Sequence, residues 1–418
     1  MKLQNSFLIL FVLLMAACNK EPESSGPLVI DLESNISNIK KVRLSEIADD
    51  VCYIPLETNE QSLMGRVINI DISEKFIFLS TSDKCLLFDS NGKFILLIGR
   101  KGKGPGEYLY PGAVKIGENF LFVPASNDLL VYTKTGEFVK RIKNPAGFDN
   151  VPFNNNWSVL SDSLFICQIR NVMGDAENKA IIFDWNTDTV QLIPNYKKFH
   201  REKQSSRSED GRAEFYFFEN KLFYKEFTGD TLFKINEKNM LEPIYVFDLG
   251  KFKKPHHLQS LSVAEASKIV NNYIYINNLF ETDNYFFLNY YFGEHYPFKK
   301  REYSQNSEIY LGIAPVLGIY DKQLGETFLV KSEFDDDVNP NGIFNDLDGG
   351  LSFFPDARIN NSTLLMIFSP YELLSYANSD FFKNSSPKFP EKKKEIEQLA
   401  KKLDLNDNLV LMLVKLKE

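Results

Sequence analysis

Cysteine and histidine are both scarce in this chain, with 4 of each among 418 residues. No two histidines have the HExxH spacing that places two zinc ligands on one helix face, so the sequence does not indicate a zinc site. Cys18 belongs to the N-terminal signal described below, which leaves three cysteines, and an odd number cannot all pair. Cys52, Cys85 and Cys167 each lie in an apolar run. We therefore expect buried free thiols, and a Cys52–Cys85 disulfide is the alternative.

Several motifs that define enzyme or nucleic-acid-binding classes are also missing. The chain has no G-x-S-x-G for an esterase. Residues 99–108 are rich in glycine and lysine, but they lack the spacing and the Ser or Thr of a phosphate-binding loop. We interpret them as a crossover between blades, with Arg100 and Tyr108 as candidate ligand contacts at its rim. The net charge of −8 argues against a nucleic-acid partner, which would need a basic stripe.

The first residues carry the features of an export signal. Lys2 precedes an apolar stretch, residues 7–14, that is too short to span a bilayer. Met15, Ala16 and Ala17 before Cys18 resemble a bacterial lipobox, in which the cysteine is lipidated and becomes the mature N-terminus; an ordinary signal peptide is the alternative. We expect a signal peptide over 1–17, lipid on Cys18, and a polar, flexible tether over 18–38.

A repeated hairpin is the strongest signal of fold. Residues 88–94 join two apolar runs through Asp-Ser-Asn-Gly, and residues 131–138 have the same form, with their glycines 136 − 92 = 44 residues apart. Residues 319–326 restore the pattern. A hairpin repeated at this period is typical of β-propeller blades. The 36 Phe and 19 Tyr also favour sheet, and we interpret the dense aromatic runs as core between blades.

We predict an all-β fold, a six-bladed β-propeller over residues 39–418 with a few inserted helices; five or seven blades are the alternatives. The helices should begin near residues 262, 369 and 390. The apolar run 408–416 is expected to close the ring with residues 51–56, which removes exposed sheet edges. The predicted blades cover residues 66–99, 113–142, 157–193, 214–248, 273–330, and 342–346 with 351–354, 363–368 and the terminal strand.

An acidic loop is the one candidate for metal binding. Asp337, Asn339 and Asn341 alternate before a glycine, and Asp348 stands at the twelfth position, which is the order of oxygen ligands in a calcium loop. The twelfth residue of such loops is normally Glu, and no helix is predicted before this one. A solvated turn without a cofactor is therefore the alternative to Ca²⁺.

Several segments together resemble a known family. Residues 55–58, the hairpin 88–94, residues 102–108 with Gly-Lys-Gly-Pro-Gly-Glu-Tyr, residues 345–350 and residues 407–408 resemble the NHL-repeat-like six-bladed propeller lipoproteins of Gram-negative gut bacteria. The resemblance extends from about residue 40 to the C-terminus. It implies the propeller fold and the lipid anchor, and it implies no activity, because the family has no catalytic residues to carry over.

These features predict an outer-membrane lipoprotein of the cell envelope, facing the periplasm or the cell exterior, that acts as a binding module. Its partners would be the membrane, through the anchor, and an envelope protein or a glycan held by loops on a rigid scaffold. The alternative is a lyase or hydrolase with its site at the mouth of the central channel. Convergence of His257, His295 and a carboxylate there would favour catalysis.

Overall fold

The computed structural model describes residues 26–148, 153, 156–171, 173–201, 213–238, 240–298, 315–333 and 342–418. Six small sheets, each built on four antiparallel strands, form a six-bladed β-propeller, which confirms the predicted fold class and blade count. We number the blades I to VI in chain order; within each blade the first strand is innermost. A further short pair, β8 (Arg100–Lys101) and β9 (Glu107–Tyr108), lies between blades I and II.

Blades I to III contain four strands each, at the positions that the hairpin pattern predicts. Apolar and β-branched residues fill the second and third strands of each, and these strands are buried on both faces. The strands are β4 (Val67–Ile72), β5 (Phe76–Thr81), β6 (Cys85–Asp89) and β7 (Phe94–Leu97); β10 (Lys115–Ile116), β11 (Phe120–Ala125), β12 (Asp128–Thr133) and β13 (Phe138–Ile142); and β14 (Trp157–Ser161), β15 (Leu164–Gln168), β16 (Asn178–Asp184) and β17 (Thr189–Pro194).

Blades IV and V carry a fifth strand along their outer edge. Strand β1 (Leu28–Asp31) pairs in parallel with the fourth strand of blade IV, and β2 (Ile39–Lys41) does the same on blade V. The remaining strands are β18 (Ala213–Phe218), β19 (Lys221–Glu226), β20 (Thr231–Ile235) and β21 (Leu241–Asp248) in blade IV, and β22 (Tyr275–Glu281), β23 (Tyr285–Tyr291), β24 (Val316–Asp321) and β25 (Glu326–Lys331) in blade V.

These edge strands move the start of the propeller. The predicted tether reached residue 38, yet Leu28–Asp31 lie in a sheet, and Ile30 and Leu32 are 2% and 3% exposed. Apolar residues at alternate positions can be buried against an available edge, and the polar neighbours concealed that pattern in the sequence. The propeller sheets therefore include residues from Leu28, 39 − 28 = 11 residues earlier than expected.

Blade VI closes the ring. Its strands are β26 (Ala357–Asn360), β27 (Thr363–Phe368), β28 (Val410–Leu416) and β3 (Ala48–Pro55), so both ends of the chain supply strands, as predicted. The prediction for its inner part was wrong. Residues 342–346 and 351–354 make two isolated bridges, Ile343 to Phe353 and Phe344 to Arg43, and do not enter the blade sheet.

Among the described residues, five α-helices accompany the strands: α1 (Leu44–Ile47), α2 (Val263–Ile269), α3 (Pro370–Ala377), α4 (Asp380–Asn384) and α5 (Pro390–Lys402). The capping boxes at Ser262 and Ser369 are present. Each serine side chain accepts from the backbone N–H of the third helical residue, and the side chain of that residue, Glu265 or Glu372, accepts from the serine N–H. Ile396 of α5 is fully buried against blade VI. Across the described ranges, no helix has the length and apolar character needed to cross a membrane.

The core lies between neighbouring blades. Aromatic runs supply much of it, as predicted: Phe286 and Phe287 are fully buried, and Phe286 meets Phe247 edge to face at 5.6 Å. Cys85 and Cys167 are buried free thiols as expected. Cys52 is also free, so the disulfide alternative is wrong; it is exposed rather than buried, because it lies on the outermost strand of blade VI.

The two faces of the ring differ in the length of their connections. The turns from first to second and from third to fourth strands are tight, such as 73–75 and 90–93. The connections on the opposite face include 98–114, 249–274 and 369–409. Antiparallel strands alternate in direction, so all connections of one kind emerge on one face. We call these the tight-turn face and the long-connection face.

Gly92 lies where the first hairpin of blade I packs closely against blade VI. It has φ of +83°, and a Cβ there would lie 2.4 Å from the carbonyl oxygen of Pro55 in blade VI. Gly325 in the matching hairpin of blade V has φ of +66° and open space around it. We expect Gly325→Ala to lower the free energy of unfolding by ~1 kcal/mol, from backbone conformation alone. Gly92→Ala should cost ~3 kcal/mol because the two blades must also separate. Urea unfolding of both variants measures the difference, and equal costs would contradict it.

Candidate functional site

A narrow polar cleft opens on the long-connection face between blades III and IV. We call it the III/IV cleft. Its free volume is about 30 Å³, enough for about two water molecules. Amides, a hydroxyl and a lysine form most of its polar wall: Gln168, Asn171, Asn195, Lys197, Thr228 and Gln259.

A buried polar network forms the floor of the III/IV cleft. Lys179 of blade III makes an ion pair with Glu226 of blade IV. The hydroxyl of Tyr224 donates to Oε1 of the same glutamate at 3.1 Å. Burial, and then the Glu226 charge, raises the pKa of Tyr224 well above its usual value, so this hydroxyl stays protonated. Lys179 is only 8% exposed, and its charge is therefore neutralised within the protein.

Strand order explains why these residues meet. Gln168 ends the second strand of blade III, Lys179 is near the start of its third, and Glu226 ends the second strand of blade IV. All three positions lie at the long-connection face. Polar residues are tolerated there because the ends of the strands lie outside the apolar core between the blades.

A second pair of ionisable residues lies beside this network, nearer the central channel. Glu214 of the innermost strand β18 is in register with Lys225 of β19. The Lys225 ammonium donates to the carbonyl oxygens of Glu226 at 3.0 Å and Gly229 at 3.1 Å. Burial raises the pKa of Glu214 to about 7, and burial lowers the pKa of Lys225 to about 8. Both groups can therefore change charge near neutral pH.

Glu214→Gln should remove the fall in stability that Glu214 causes as the pH rises. The folded state holds a proton on Glu214 up to about pH 7, whereas the unfolded chain loses it near 4.5. The free energy of unfolding therefore falls as pH rises from about 4.5 to about 7. Glutamine cannot lose this proton, so at pH 8 we expect the variant to be more stable than wild type by ~1–2 kcal/mol, with little difference at pH 4.5.

Urea unfolding at pH 4.5, 6 and 8 measures this dependence. The matched control, Glu219→Gln, changes an exposed carboxylate in the adjoining tight turn and should keep the wild-type profile. A Glu214→Gln profile parallel to that of wild type would contradict the assignment.

Charged residues also bridge the blades at the opposite end of the channel. Arg358 of β26 in blade VI donates to the carbonyl oxygen of Phe217 in blade IV, and its guanidinium lies 5.7 Å from the Tyr216 ring. Tyr216 donates to Oε2 of Glu281 at 2.8 Å, and Lys322 donates to Oε1 at 2.8 Å. The three blades are thus tied together near the tight-turn face.

The candidate contacts of the glycine-rich segment have structural roles. The hydroxyl of Tyr108 donates to the carbonyl of Ile98 and accepts from the N–H of Cys85, both at 3.0 Å, and the residue is 2% exposed. Arg100 is exposed and pairs with Glu107 at 2.5 Å. Glu107 also accepts from the N–H of Gly104 at 2.9 Å. This carboxylate therefore already accepts the backbone N–H that would have to donate to a bound phosphate.

An open groove adjoins that segment on the long-connection face. Its volume is about 500 Å³, within the range of ligand sites. Arg141 lines it and donates to Asp128 and to the carbonyl oxygens of Gly104, Pro105 and Glu107. These bonds fix the segment as a rigid wall.

The two candidate histidines lie in separate 3₁₀ turns. His257 lies in His256–Ser260, and His295 lies in Gly293–His295. The His295 ring is hydrogen-bonded to the carbonyl of Asn272 and packs on Phe252 at 4.9 Å. Both histidines are exposed. No hydrogen bond among the described residues joins either histidine to a carboxylate.

Asp348 is fully buried beneath blade VI. Its Oδ1 accepts from Asn345 at 2.6 Å, from Gly350 at 2.8 Å and from Tyr53 at 3.4 Å. Asp337, Asn339 and Asn341 lie outside the described residues, as does Cys18. Within the described ranges, no three His, Cys, Asp or Glu side chains are grouped to hold a metal ion. The calcium hypothesis stays a prediction.

Sequence reasoning missed the residues of the III/IV cleft and of the Glu214 pair. One signal could have found Glu214, because it is a single carboxylate in the aromatic strand Ala213–Phe218, the innermost strand of its blade. No local signal marks Gln168, Lys179 or Glu226. They come together only through the packing of blade III on blade IV.

Comparison with known proteins supports the fold. The model of the family Domain of unknown function (DUF4934) matches residues 27–415. A Bacteroides fragilis protein described as exported superposes with a TM-score of 0.63 at 16% identity, covering 93% of this chain and 100% of its own. A DUF4221 family member from Bacteroides vulgatus gives 0.54 at 12%, covering 88% and 97%. At these identities the likeness shows the fold alone. No curated protein matches the chain in sequence.

Proposed function

The chain belongs to the DUF4934 family, to which no function is assigned, and from that premise we propose that it is a lipid-anchored envelope protein that binds a polar ligand on its long-connection face. Its propeller is the rigid scaffold, and the III/IV cleft is the centre of recognition. The membrane would be its first partner, through Cys18, and a glycan or an envelope protein its second.

One observation carries the binding role: the long connections and both depressions lie on the same face. Binding residues are usually found on loops held by a rigid scaffold. In the III/IV cleft the charges of Lys179 and Glu226 compensate each other, which leaves amide and hydroxyl groups and the Lys197 ammonium to meet a ligand. Amides both donate and accept, so they suit hydroxyl or peptide groups.

The anchor rests on the sequence around Cys18, and the exported description of the Bacteroides fragilis protein is consistent with the same route. Growth of producing cells with an alkyne analogue of palmitate tests it. We expect label on the protein and recovery in the membrane fraction, and both should be lost in Cys18→Ser. Equal labelling of that variant would refute the anchor and leave the binding proposal intact.

Ligand binding is tested by thermal shift of the purified propeller, residues 26–418, against neutral and acidic oligosaccharides, short peptides and CaCl₂. We expect a stabilising probe whose effect is at least halved by Gln259→Ala or Thr228→Ala at the III/IV cleft. The control Asn186→Ala changes the tight-turn face and should keep the full effect. A probe effect that depends on Asn186 and not on the cleft residues would refute the assignment.

An enzyme remains the second proposal, and the Glu214–Lys225 pair favours it because both groups titrate near neutral pH beside the channel. Mass spectrometry of the same probes after incubation would detect cleaved or unsaturated products. Turnover by wild type that is lost in Glu214→Gln supports catalysis. Binding without turnover supports the binding module.

A further inference from the structure

The groove beside the glycine-rich segment is much larger than the III/IV cleft. Its free volume is about 500 Å³, against about 30 Å³ in the cleft. The cleft therefore admits a single chemical group, whereas the groove has the volume of a small-molecule site. We call it the I/II groove, because its walls are the segment between blades I and II and the loop between β11 and β12.

The backbone of the glycine-rich wall is already hydrogen-bonded within the protein. The N–H of Gly102 donates to the carbonyl oxygen of Tyr108 at 2.9 Å, and the N–H of Gly104 donates to the Glu107 carboxylate at 2.9 Å. Arg141 occupies carbonyl oxygens of the same segment. An extended peptide would find few main-chain partners here, so recognition falls to side chains.

Three polar side chains of the I/II groove are available to a ligand. Lys103, Ser126 and Asn127 line it and are exposed. Within the described ranges, none of the three side chains makes a hydrogen bond or an ion pair. An ammonium, a hydroxyl and an amide can bind hydroxyl groups and a carboxylate.

The charge around the I/II groove is positive, in a chain whose net charge is −8. Glu107 and Asp128, the carboxylates of the groove lining, are each paired with an arginine, at 2.5 and 2.8 Å. Lys101 and Lys103 have no acidic partner in the part of the chain that the structure describes. Their two positive charges are therefore left to attract an anion.

An exposed aromatic ring lies at the rim of the groove. Tyr110 is 67% exposed and lies between Leu109, which lines the groove, and Pro111, which bridges to Ala125 on the other wall. The Lys101 ammonium is 5.5 Å from the centre of the Tyr110 ring. The face of such a ring carries partial negative charge and attracts the C–H groups of a sugar ring.

Ser126 keeps a side chain where the backbone favours glycine. It has φ of +60° in the two-residue loop between Ala125 and Asp128, a conformation that a serine adopts at a cost in stability. Strained residues of this kind are concentrated at ligand sites. Retention of the hydroxyl at this position is consistent with a contact to a ligand.

We propose that the I/II groove binds an acidic oligosaccharide. A sugar ring packs on Tyr110, its carboxylate pairs with Lys103, and its hydroxyl groups bind Ser126 and Asn127. An acidic peptide would share the charge, but the backbone of the glycine-rich wall is already paired. The site is separate from the III/IV cleft, and the proposal does not depend on binding there.

Isothermal titration calorimetry of the propeller, residues 26–418, tests the ligand class. The probes are tetragalacturonic acid, its neutral methyl ester, and a peptide of four Asp-Glu repeats. We expect the acid to bind, and the ester and the peptide to bind more weakly by about tenfold or more, because each lacks one of the two features that the groove recognises. No binding of the acid, equal binding of the ester, or tighter binding of the peptide overturns the proposal.

Two variants separate the contribution of charge from that of the ring. Lys103→Gln should weaken binding of the acid about fivefold and leave the ester unchanged, because only the acid can pair with the ammonium. Tyr110→Ala should weaken both about tenfold. The matched controls are Lys75→Gln on the tight-turn face and Tyr371→Ala, whose ring is 65% exposed on α3, and both should keep wild-type affinity. Wild-type affinity in Lys103→Gln and Tyr110→Ala contradicts the assignment.

Ser126→Gly separates ligand contact from damage to the fold. The glycine relieves the strained φ, so we expect the melting temperature to rise by about 1–2 °C while affinity for the acid falls about threefold. Gln259→Ala at the III/IV cleft should leave that affinity unchanged. Loss of affinity in Gln259→Ala, with full affinity in the Ser126, Lys103 and Tyr110 variants, would overturn the groove site and support the cleft instead.

Discussion

Val414→Asp should lower the free energy of unfolding by about 4 kcal/mol or more. Val414 is fully buried in β28, between β27 and β3, where the two ends of the chain close the ring. An aspartate there would place a carboxylate without partners in an apolar layer, which is among the most destabilising of substitutions. It would also weaken the sheet in which β3 pairs with β28 and so closes the ring.

Urea unfolding followed by circular dichroism measures this effect. Lys415→Gln, one residue along the same strand and exposed, is the matched control and should change stability by less than ~0.5 kcal/mol. Val414→Ala, which removes volume without adding charge, serves if the aspartate variant does not accumulate, with an expected loss of ~2–3 kcal/mol. Wild-type stability in both Val414 variants would mean that closure does not hold the ring.

Lys322→Met should cost ~3–5 kcal/mol. The ion pair between Lys322 and Glu281 is buried, with side-chain exposures of 16% and 3%, and Tyr216 holds the second carboxylate oxygen. The methionine keeps the apolar contact with the rings of Phe218 and Phe286, both 4.6 Å from the lysine nitrogen. What it removes is the charge partner of Glu281, and an uncompensated buried charge is costly.

A double-mutant cycle separates charge from packing. Glutamine at position 281 still accepts from Tyr216, so Lys322→Met combined with Glu281→Gln should be at least ~1 kcal/mol more stable than Lys322→Met alone. The exposed pair of Lys221 and Glu219, at 3.0 Å, is the control, and Lys221→Met should cost less than ~1 kcal/mol. Equal costs for Lys322→Met and Lys221→Met would show that Lys322 does not stabilise the buried Glu281 carboxylate.

The parts of the fold that sequence predicted are those encoded by neighbouring residues. The Asn91-Gly92 turn and its counterparts at Gly136 and Gly325 need positive φ, and glycine reports that need directly. Serine followed three residues later by glutamate marked the starts of α2 and α3, because the capping box is complete within one turn. Hairpin turns and helix starts of this kind are determined by residues that are close in the sequence.

The errors arose where burial depends on distant residues. Residues 342–354 have enough apolar character for strands, but Ile343, Leu347 and Leu351 instead pack into the core with α3 to α5. Leu28–Asp31 were indistinguishable from a tether until the edge of blade IV was available to pair with them. Cys52 lies in an apolar run, yet its strand is outermost and its side chain is exposed.

The sequence by itself determined the repeated hairpins and the capped helices, because periodicity, turn chemistry and capping act within a few residues of each other. It favoured six blades and a closing terminal strand, and the structure decided for six over five or seven. Only the tertiary structure decided which polar residues meet. Lys179 and Glu226 are 226 − 179 = 47 residues apart and form the floor of the III/IV cleft because blade III packs on blade IV. It also decided that Tyr108 is buried and that its hydroxyl links the carbonyl of Ile98 to the N–H of Cys85.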